Sequence, residues 1–200
     1  GVDEVAERTV AGAKYLCGWR DICRATDART SIAFLVPAYA AEEGMLLWHS
    51  SSGSHTGLLT VVLNSFVFDF VARQKVGGTH LKYFSMRQLP VIEPSRMTWA
   101  SSRLLELSYT AWDLAGFAAD LSYHGPPFKW DEERRALMRA ELDAQMFRLY
   151  GIERDGVDYI LETFPIVKRK DEASFGEYRT KRLILERFDA MAEADTAGRE

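Results

Sequence analysis

The chain has 200 residues, 47% of them hydrophobic, and a formal net charge of −4 at pH 7. This length and composition suffice for one large domain or two small ones with a real core, and they exclude a disordered chain. The acidic balance excludes binding to nucleic acid through bulk charge, so any such contact has to be local.

Before about residue 98 the pattern predicts mixed α and β structure. A loosely alternating segment at 15–25, a turn at 26–29 and a segment rich in β-branched and aromatic residues at 30–36 predict a hairpin that Pro37 closes. A further short strand is predicted at 45–49.

The next predicted elements are an apolar helix over 54–76 and a half-exposed strand over 81–89. Asn64 and Ser65 interrupt the helix. For these two side chains we favour local hydrogen bonding or packing on a neighbouring loop over contact with a ligand.

After residue 98 the sequence predicts helices. They run over 99–121, from an N-cap at Asp131 to a stop at Gly151, over 154–163 and over 175–194. Most of their charged side chains are expected on a solvated helical face.

The predicted fold class is therefore α+β, with a small mixed α/β domain over residues 1–98 and an α-helical packing or docking region over 99–200. The acidic start without signal-peptide features is interpreted as part of a longer, cytoplasmic protein. No membrane contact is expected, because the longest apolar run, 57–72, is too short for a span. Cys17 and Cys23 are too far apart along an extended chain for a disulfide, so we expect reduced thiols.

Motifs for catalysis and for metal binding are missing. The sequence has no Gly-rich dinucleotide or P-loop motif and no Gly-x-Ser-x-Gly elbow, and its four histidines lack a metal-ligand spacing. The alternative is a hydrolase built from His49 or His55 with the serines of residues 50–54. A polar loop that caps a helix is the simpler explanation of these serines. We predict that this chain alone is not an enzyme and binds no metal or cofactor.

One stretch, residues 73–90, carries basic side chains and histidine without a single acidic residue. These side chains are Arg73, Lys75, His80, Lys82 and Arg87, and they flank a Gly77-Gly78 turn. The pattern is typical of a segment that grips an anion. The alternative is a solvated basic loop that follows a core helix.

Several short stretches of the sequence together carry a resemblance to a known protein family. They are GWRDICR at 18–24, DART at 27–30, LNSF at 63–66, GTHL at 78–81, PFKWD at 127–131, YILETFP at 159–165 and GEYRTKRLIL at 176–185. With this set the chain resembles the C-terminal target-recognition region of large bacterial adenine-specific DNA methyltransferases, the type II fused restriction-modification enzymes and their relatives in phage-defence systems. The strings span nearly the whole chain, and none is a catalytic signature.

The resemblance implies that methyl transfer and DNA recognition lie in different domains. In that family an upstream domain binds S-adenosylmethionine and carries an Asn-Pro-Pro-Tyr/Phe motif that holds the flipped adenine, and this sequence lacks that motif. The chain would then be a non-catalytic segment that binds double-stranded DNA and selects its sequence for the upstream methyltransferase domain of the same polypeptide. Other subunits of a defence system are candidate partners.

The resemblance also implies which residues contact DNA. Phosphate contacts are expected from Arg73, Lys75 and Lys82, with Arg87 in the same basic stretch. The Gly77-Gly78 turn is expected to bring the backbone N–H groups of Thr79 and His80 close to the duplex.

Base edges are expected to meet residues on and beside the first hairpin. The candidates are Arg20, Arg24, Arg29 and Thr30, because arginine to guanine is the favoured pairing. The alternative is that Arg24 and Arg29 pair with Asp21 and Asp27.

A second hypothesis, from another class, is a structural or assembly module. In it the helices after residue 98 dock partner subunits of a restriction or defence complex, and the basic stretch is incidental. The net charge favours this second hypothesis, whereas the charge layout favours DNA binding, since residues 71–103 hold six Lys or Arg against one acidic residue.

Overall fold

A computed structural model describes residues 13–38, 42–48 and 53–198. Within these ranges the fold is α+β, as predicted, with a small antiparallel sheet followed by helices. The predictions for His49, for residues 50–52 and for residues 1–12 lie outside the described residues.

The sheet has three strands in the order β2-β1-β3. They are β1 (Tyr15–Arg20), β2 (Ala33–Pro37) and β3 (Met45–Trp48). Both neighbours pair antiparallel to β1, with Trp19 opposite Ala33 and Leu46. The predicted hairpin is confirmed, although β1 ends five residues earlier than predicted.

Nine α-helices follow the sheet in the described part of the chain. They are α1 (Gly53–Asn64), α2 (Phe66–Lys75), α3 (Tyr83–Met86), α4 (Ser101–Ser108), α5 (Ala115–Asp120), α6 (Glu132–Leu149), α7 (Arg154–Glu162), α8 (Pro165–Phe175) and α9 (Arg179–Thr196). Two 3-10 helices, Pro94–Ala100 and Trp112–Leu114, precede α4 and α5.

The long apolar helix predicted over 54–76 is divided at Ser65. The Ser65 hydroxyl accepts a hydrogen bond from the Phe68 N–H at 3.3 Å and so caps α2, while it donates to the Val62 carbonyl at 2.7 Å. The Asn64 amide pairs with both the N–H and the carbonyl of Ala33 on β2. The expected local and packing roles of Asn64 and Ser65 are confirmed.

The strand predicted over 81–89 is wrong. This segment contains the short helix α3, and its buried residues Leu81, Ser85 and Leu89 are four apart, which fits a helical turn better than the period of two of a strand. Residue types alternate over residues 82–86 as they do in a strand. This segment is too short to distinguish the period of a strand from the period of a helix.

The C-terminal half is helical, as predicted, but its first helix is not continuous. The helix predicted over 99–121 leaves helical geometry at Tyr109, whose carbonyl accepts a hydrogen bond from the Phe128 N–H instead. Asp131 caps α6 and Gly151 follows it at φ +69°, both as predicted. The helix α8 is not among the predicted elements. It begins at Pro165, because proline ends the preceding helix but is favoured in the first turn of the next one.

One continuous core joins the two halves. Phe66 of α2 packs edge to face on Phe164 at 4.8 Å between ring centroids, and the Asp143 carboxylate of α6 accepts the Phe66 N–H at 2.8 Å. The division into domains at residue 98 stays a prediction. Cys17 and Cys23 are both buried and free, as expected.

Candidate nucleic-acid interface

The segment after α2 is anchored at regular intervals and exposed in between. Val76, Leu81, Ser85 and Leu89 are buried, whereas most residues between them are exposed. The anchors fix the path of this segment over the core and leave its polar side chains in solvent.

The same segment lies beside the connection from β1 to β2. The Cys23 N–H donates to the Thr79 carbonyl at 2.9 Å, and the Leu81 N–H donates to the Asp21 carbonyl at 2.8 Å, on either side of a bridge between Ile22 and His80. Residues 21–24 and 79–81 therefore form one surface from two distant parts of the sequence.

Asp21 organises the cations of this surface. Its side chain is 4% exposed, and its Oδ2 lies 2.8 Å from His80 Nδ1 and 2.6 Å from Lys82 Nζ. Burial alone would raise the pKa of Asp21, but the hydrogen bonds from Lys82 and His80 outweigh it and hold that pKa below its usual range. The side chains of His80 and Lys82 are about half exposed, so they are held in place while still facing solvent.

Three further cations of these two segments have no carboxylate partner. Arg24, Lys75 and Arg87 are exposed, and within the described residues no ion pair or side-chain hydrogen bond engages them. The pairing of Arg24 with Asp21 considered from the sequence does not form; instead the Arg24 backbone N–H donates to Asp27.

Gly77 and Gly78 are not required by the fold. Neither has a positive φ, and a Cβ placed on either would meet nothing within 4 Å. The N–H groups of Thr79 and His80 make no hydrogen bond in the part of the chain that is described. Because the two glycines have no side chains, another molecule can approach the unpaired N–H groups of Thr79 and His80 closely.

Large apolar side chains are exposed on the same two segments. Phe84 is 69% exposed on α3, and Ile22, Tyr83 and Val91 are also exposed. The Tyr83 hydroxyl is held by the Leu47 carbonyl at 2.8 Å. Sequence reasoning did not include Phe84 in the site, although the spacing of Leu81, Ser85 and Leu89 places it on the opposite, outer side of a helical turn.

The remaining candidate residues are engaged by other groups of the protein. The Arg29 Nε lies 2.6 Å from Asp69 Oδ2, and the fully buried Thr30 donates its N–H to Asp69 and its hydroxyl to the Arg24 carbonyl. Arg29 thus pairs with Asp69, not with Asp27. A side chain with no exposed area cannot reach a base edge, so we assign Thr30 a positioning role.

Arg73 and Arg20 also stabilise the turn after β1. Arg73 donates from Nη2 to the carbonyls of Asp27 and Ala28 at 2.8 and 2.9 Å and lies over the Phe164 ring. Burial lowers the pKa of Arg73, which marks the cost of desolvating its charge. Arg20 donates to Asp27 and to the Arg29 carbonyl. These two side chains hold residues 24–30 in place.

We call the exposed set the basic surface. It consists of Arg24, Lys75, Gly77, Gly78, Thr79, His80, Lys82, Phe84 and Arg87. Among the described residues no group of three or more His, Cys, Asp or Glu side chains could hold a metal ion, there or elsewhere. None of the helices in the described ranges combines the length and apolar character that a membrane crossing needs.

Comparison with known proteins gives this chain no relative: no family model, no curated protein and no solved structure matches it.

Proposed function

We propose that this chain is a DNA-binding target-recognition segment without catalytic activity of its own, acting in the cytoplasm. It would position double-stranded DNA for an S-adenosylmethionine-dependent adenine methyltransferase domain of the same polypeptide. The observation that carries the proposal is the basic surface. It combines Arg24 with four basic or histidine side chains and a glycine pair on a segment that has no acidic residue between Arg73 and Ile92. The sequence resemblance is its second support.

The contacts divide by chemistry. Lys75, Lys82 and Arg87 would neutralise phosphates, and the N–H groups of Thr79 and His80 would donate to phosphate oxygens past the glycine pair. Arg24 is the candidate for a base edge. In this assignment the loop that carries Arg24 is held in place by four other residues, Arg20, Arg29, Thr30 and Arg73.

The test is fluorescence anisotropy with a pool of random duplexes over a range of salt concentrations. Replacing Lys75, Lys82 and Arg87 together with Ala should weaken binding and lower the salt slope by about 0.9 for each phosphate that is no longer neutralised. The matched control replaces Lys168, Arg169 and Lys170 on α8, which removes the same charge from another face. An equal weakening in both triple variants, or no binding at low salt, would contradict the proposal.

The second candidate is an assembly module for partner subunits of a restriction or defence complex. It is favoured by α8, which has no buried residue, and by the exposed rings of Tyr159 and Phe175 on the helical half. Stable co-elution with a partner subunit of such a complex that disappears on replacing Tyr159 and Phe175 with Ser, together with no DNA binding at low salt, would favour it.

A further inference from the structure

The imidazole of His80 is held by the protein through one of its two nitrogens. Its Nδ1 lies 2.8 Å from Oδ2 of Asp21, whose side chain is 4% exposed, whereas the side chain of His80 is 50% exposed. In the described part of the chain no hydrogen bond engages the other ring nitrogen, Nε2. His80 therefore has one nitrogen fixed on a buried carboxylate and one free to meet a ligand.

Asp21 decides which nitrogen of His80 carries the proton. Although burial opposes ionisation, the pKa of Asp21 is below its usual range, so its side chain is a carboxylate at neutral pH. A carboxylate only accepts hydrogen bonds, so His80 donates to it from Nδ1–H. The neutral ring is thereby held in the tautomer that has no proton on Nε2.

The protonation of Nε2 then controls what His80 can bind. In the neutral ring Nε2 presents a lone pair, and a phosphate oxygen, which also only accepts hydrogen bonds, is repelled. In the protonated ring both nitrogens donate, so Nε2–H can form a charge-assisted hydrogen bond to a phosphate oxygen. Histidine is the side chain that ordinarily changes its charge between about pH 5 and 8.

Few other groups near this pair can change their charge in that range. The charged or titratable side chains on the elements that contact it are Lys75, Lys82 and Arg87 on the same segment, Cys23 and Arg24 after β1, and Glu42 and Glu43 before β3. Burial raises the pKa of the Cys23 thiol, so Cys23 stays uncharged. Lysine, arginine and glutamate side chains do not ordinarily titrate between about pH 5 and 8.

We infer that His80 is a phosphate contact of the basic surface that forms only when its imidazole is protonated, with Asp21 as the residue that positions the ring. The inference rests on the proposed function and adds the uptake of a proton to DNA binding. Lys82, held by the same oxygen at 2.6 Å, remains a phosphate contact at either pH. DNA affinity should therefore fall as the pH rises from about 5 to 8.

Fluorescence anisotropy of the 200-residue chain with the random duplex pool, at several salt concentrations and at about pH 5 and 8, tests the inference. The salt slope of the wild type should be smaller by about 0.9 at the higher pH, because one phosphate fewer is neutralised. His80→Gln should give equal slopes at the two pH values. The matched control is His124→Gln, which removes an exposed histidine between α5 and α6 and should keep the pH dependence of the wild type.

The tautomer of His80 can be measured without DNA. A long-range 1H–15N NMR spectrum of the free chain at about pH 8 should show the ring proton on Nδ1. A proton on Nε2 would overturn the inference, because the neutral ring would then already be a donor to phosphate. A salt slope that does not change with pH, or that changes equally in His80→Gln, would overturn this inference alone and leave the proposed function standing. No DNA binding at low salt at either pH would overturn both.

Discussion

Arg29 Nε lies 2.6 Å from the Oδ2 atom of Asp69, which is forty residues later in the chain and has no exposed area. The other Asp69 oxygen lies 3.5 Å from Arg73 Nε. This pair attaches the loop after β1 to α2. Because that loop carries Arg24, a buried ion pair supports an exposed cation of the basic surface.

Asp69→Asn should destabilise the protein by about 3–5 kcal/mol, because it leaves two poorly solvated arginines without their counter-charge. Urea denaturation followed by circular dichroism measures the change. The control is Asp27→Asn, whose side chain is over a third exposed and whose oxygen still accepts the Arg24 N–H; it should cost less than about 1 kcal/mol. Equal losses of stability would show that Asp69 is not the main anchor.

Asp143 should give the folded state a pH dependence between about pH 4 and 7. Burial raises the pKa of Asp143 to about 6, although Arg29 and the Phe66 N–H oppose the rise. Because the folded pKa is above the ordinary value near 3.9, the folded state favours the protonated form. Its contribution is complete below about pH 4 and is lost as the pH rises through 6, by about 3 kcal/mol at most.

Asp143→Asn removes this titration while keeping an oxygen for the Phe66 N–H. The difference in free energy of unfolding between wild type and variant should therefore shift against the wild type from pH 4 to pH 7. Subtraction cancels other groups such as Asp21, whose lowered pKa gives stability that is lost at low pH instead. A difference that is constant with pH would contradict a raised pKa at Asp143.

The sequence correctly predicts those helix ends that depend only on neighbouring residues. Asp131 supplies its own cap and Gly151 adopts the left-handed conformation that ends α6, so neither needs information from elsewhere in the chain. Ser65 carried a signal of the same kind. It was noted as an interruption, but the apolar residues on both sides concealed a full break.

Long-range partners could not be predicted. Asp69 appeared in the sequence only as an odd charge in an apolar run, and nothing local shows that Arg29 and Arg73 reach it. From the sequence alone, the cations of the first hairpin and of residues 73–90 are therefore all expected to contact DNA. Burial separates them: Arg24, Lys75 and Arg87 face solvent, while the arginines that meet Asp69 lie below.

Phe84→Ala should weaken DNA binding by about fivefold to tenfold without changing the salt slope, because apolar contact of the ring with the thymine methyl groups of a duplex does not release counterions. Stability should not change, since the ring is 69% exposed. Phe175→Ala, which removes a similarly exposed ring from α8, is the control for anisotropy and for melting temperature. A fall in the salt slope would show that Phe84 acts by arranging the neighbouring cations instead.

Substitution of the Gly77-Gly78 pair should separate effects on folding stability from effects on DNA binding. Changing both to Ala should leave stability equal or raise it by about 0.4–1 kcal/mol per site, because φ is negative at both and nothing lies near the added Cβ. DNA binding should nevertheless weaken, because two methyl groups would stand between the duplex and the N–H groups of Thr79 and His80. Gly151→Ala, at φ +69°, is the opposite control and should cost about 1–2 kcal/mol of stability without affecting DNA binding. If the double variant binds DNA as tightly as the wild type, the backbone of this turn does not approach the duplex, and the phosphates are held by the lysines and Arg87 alone.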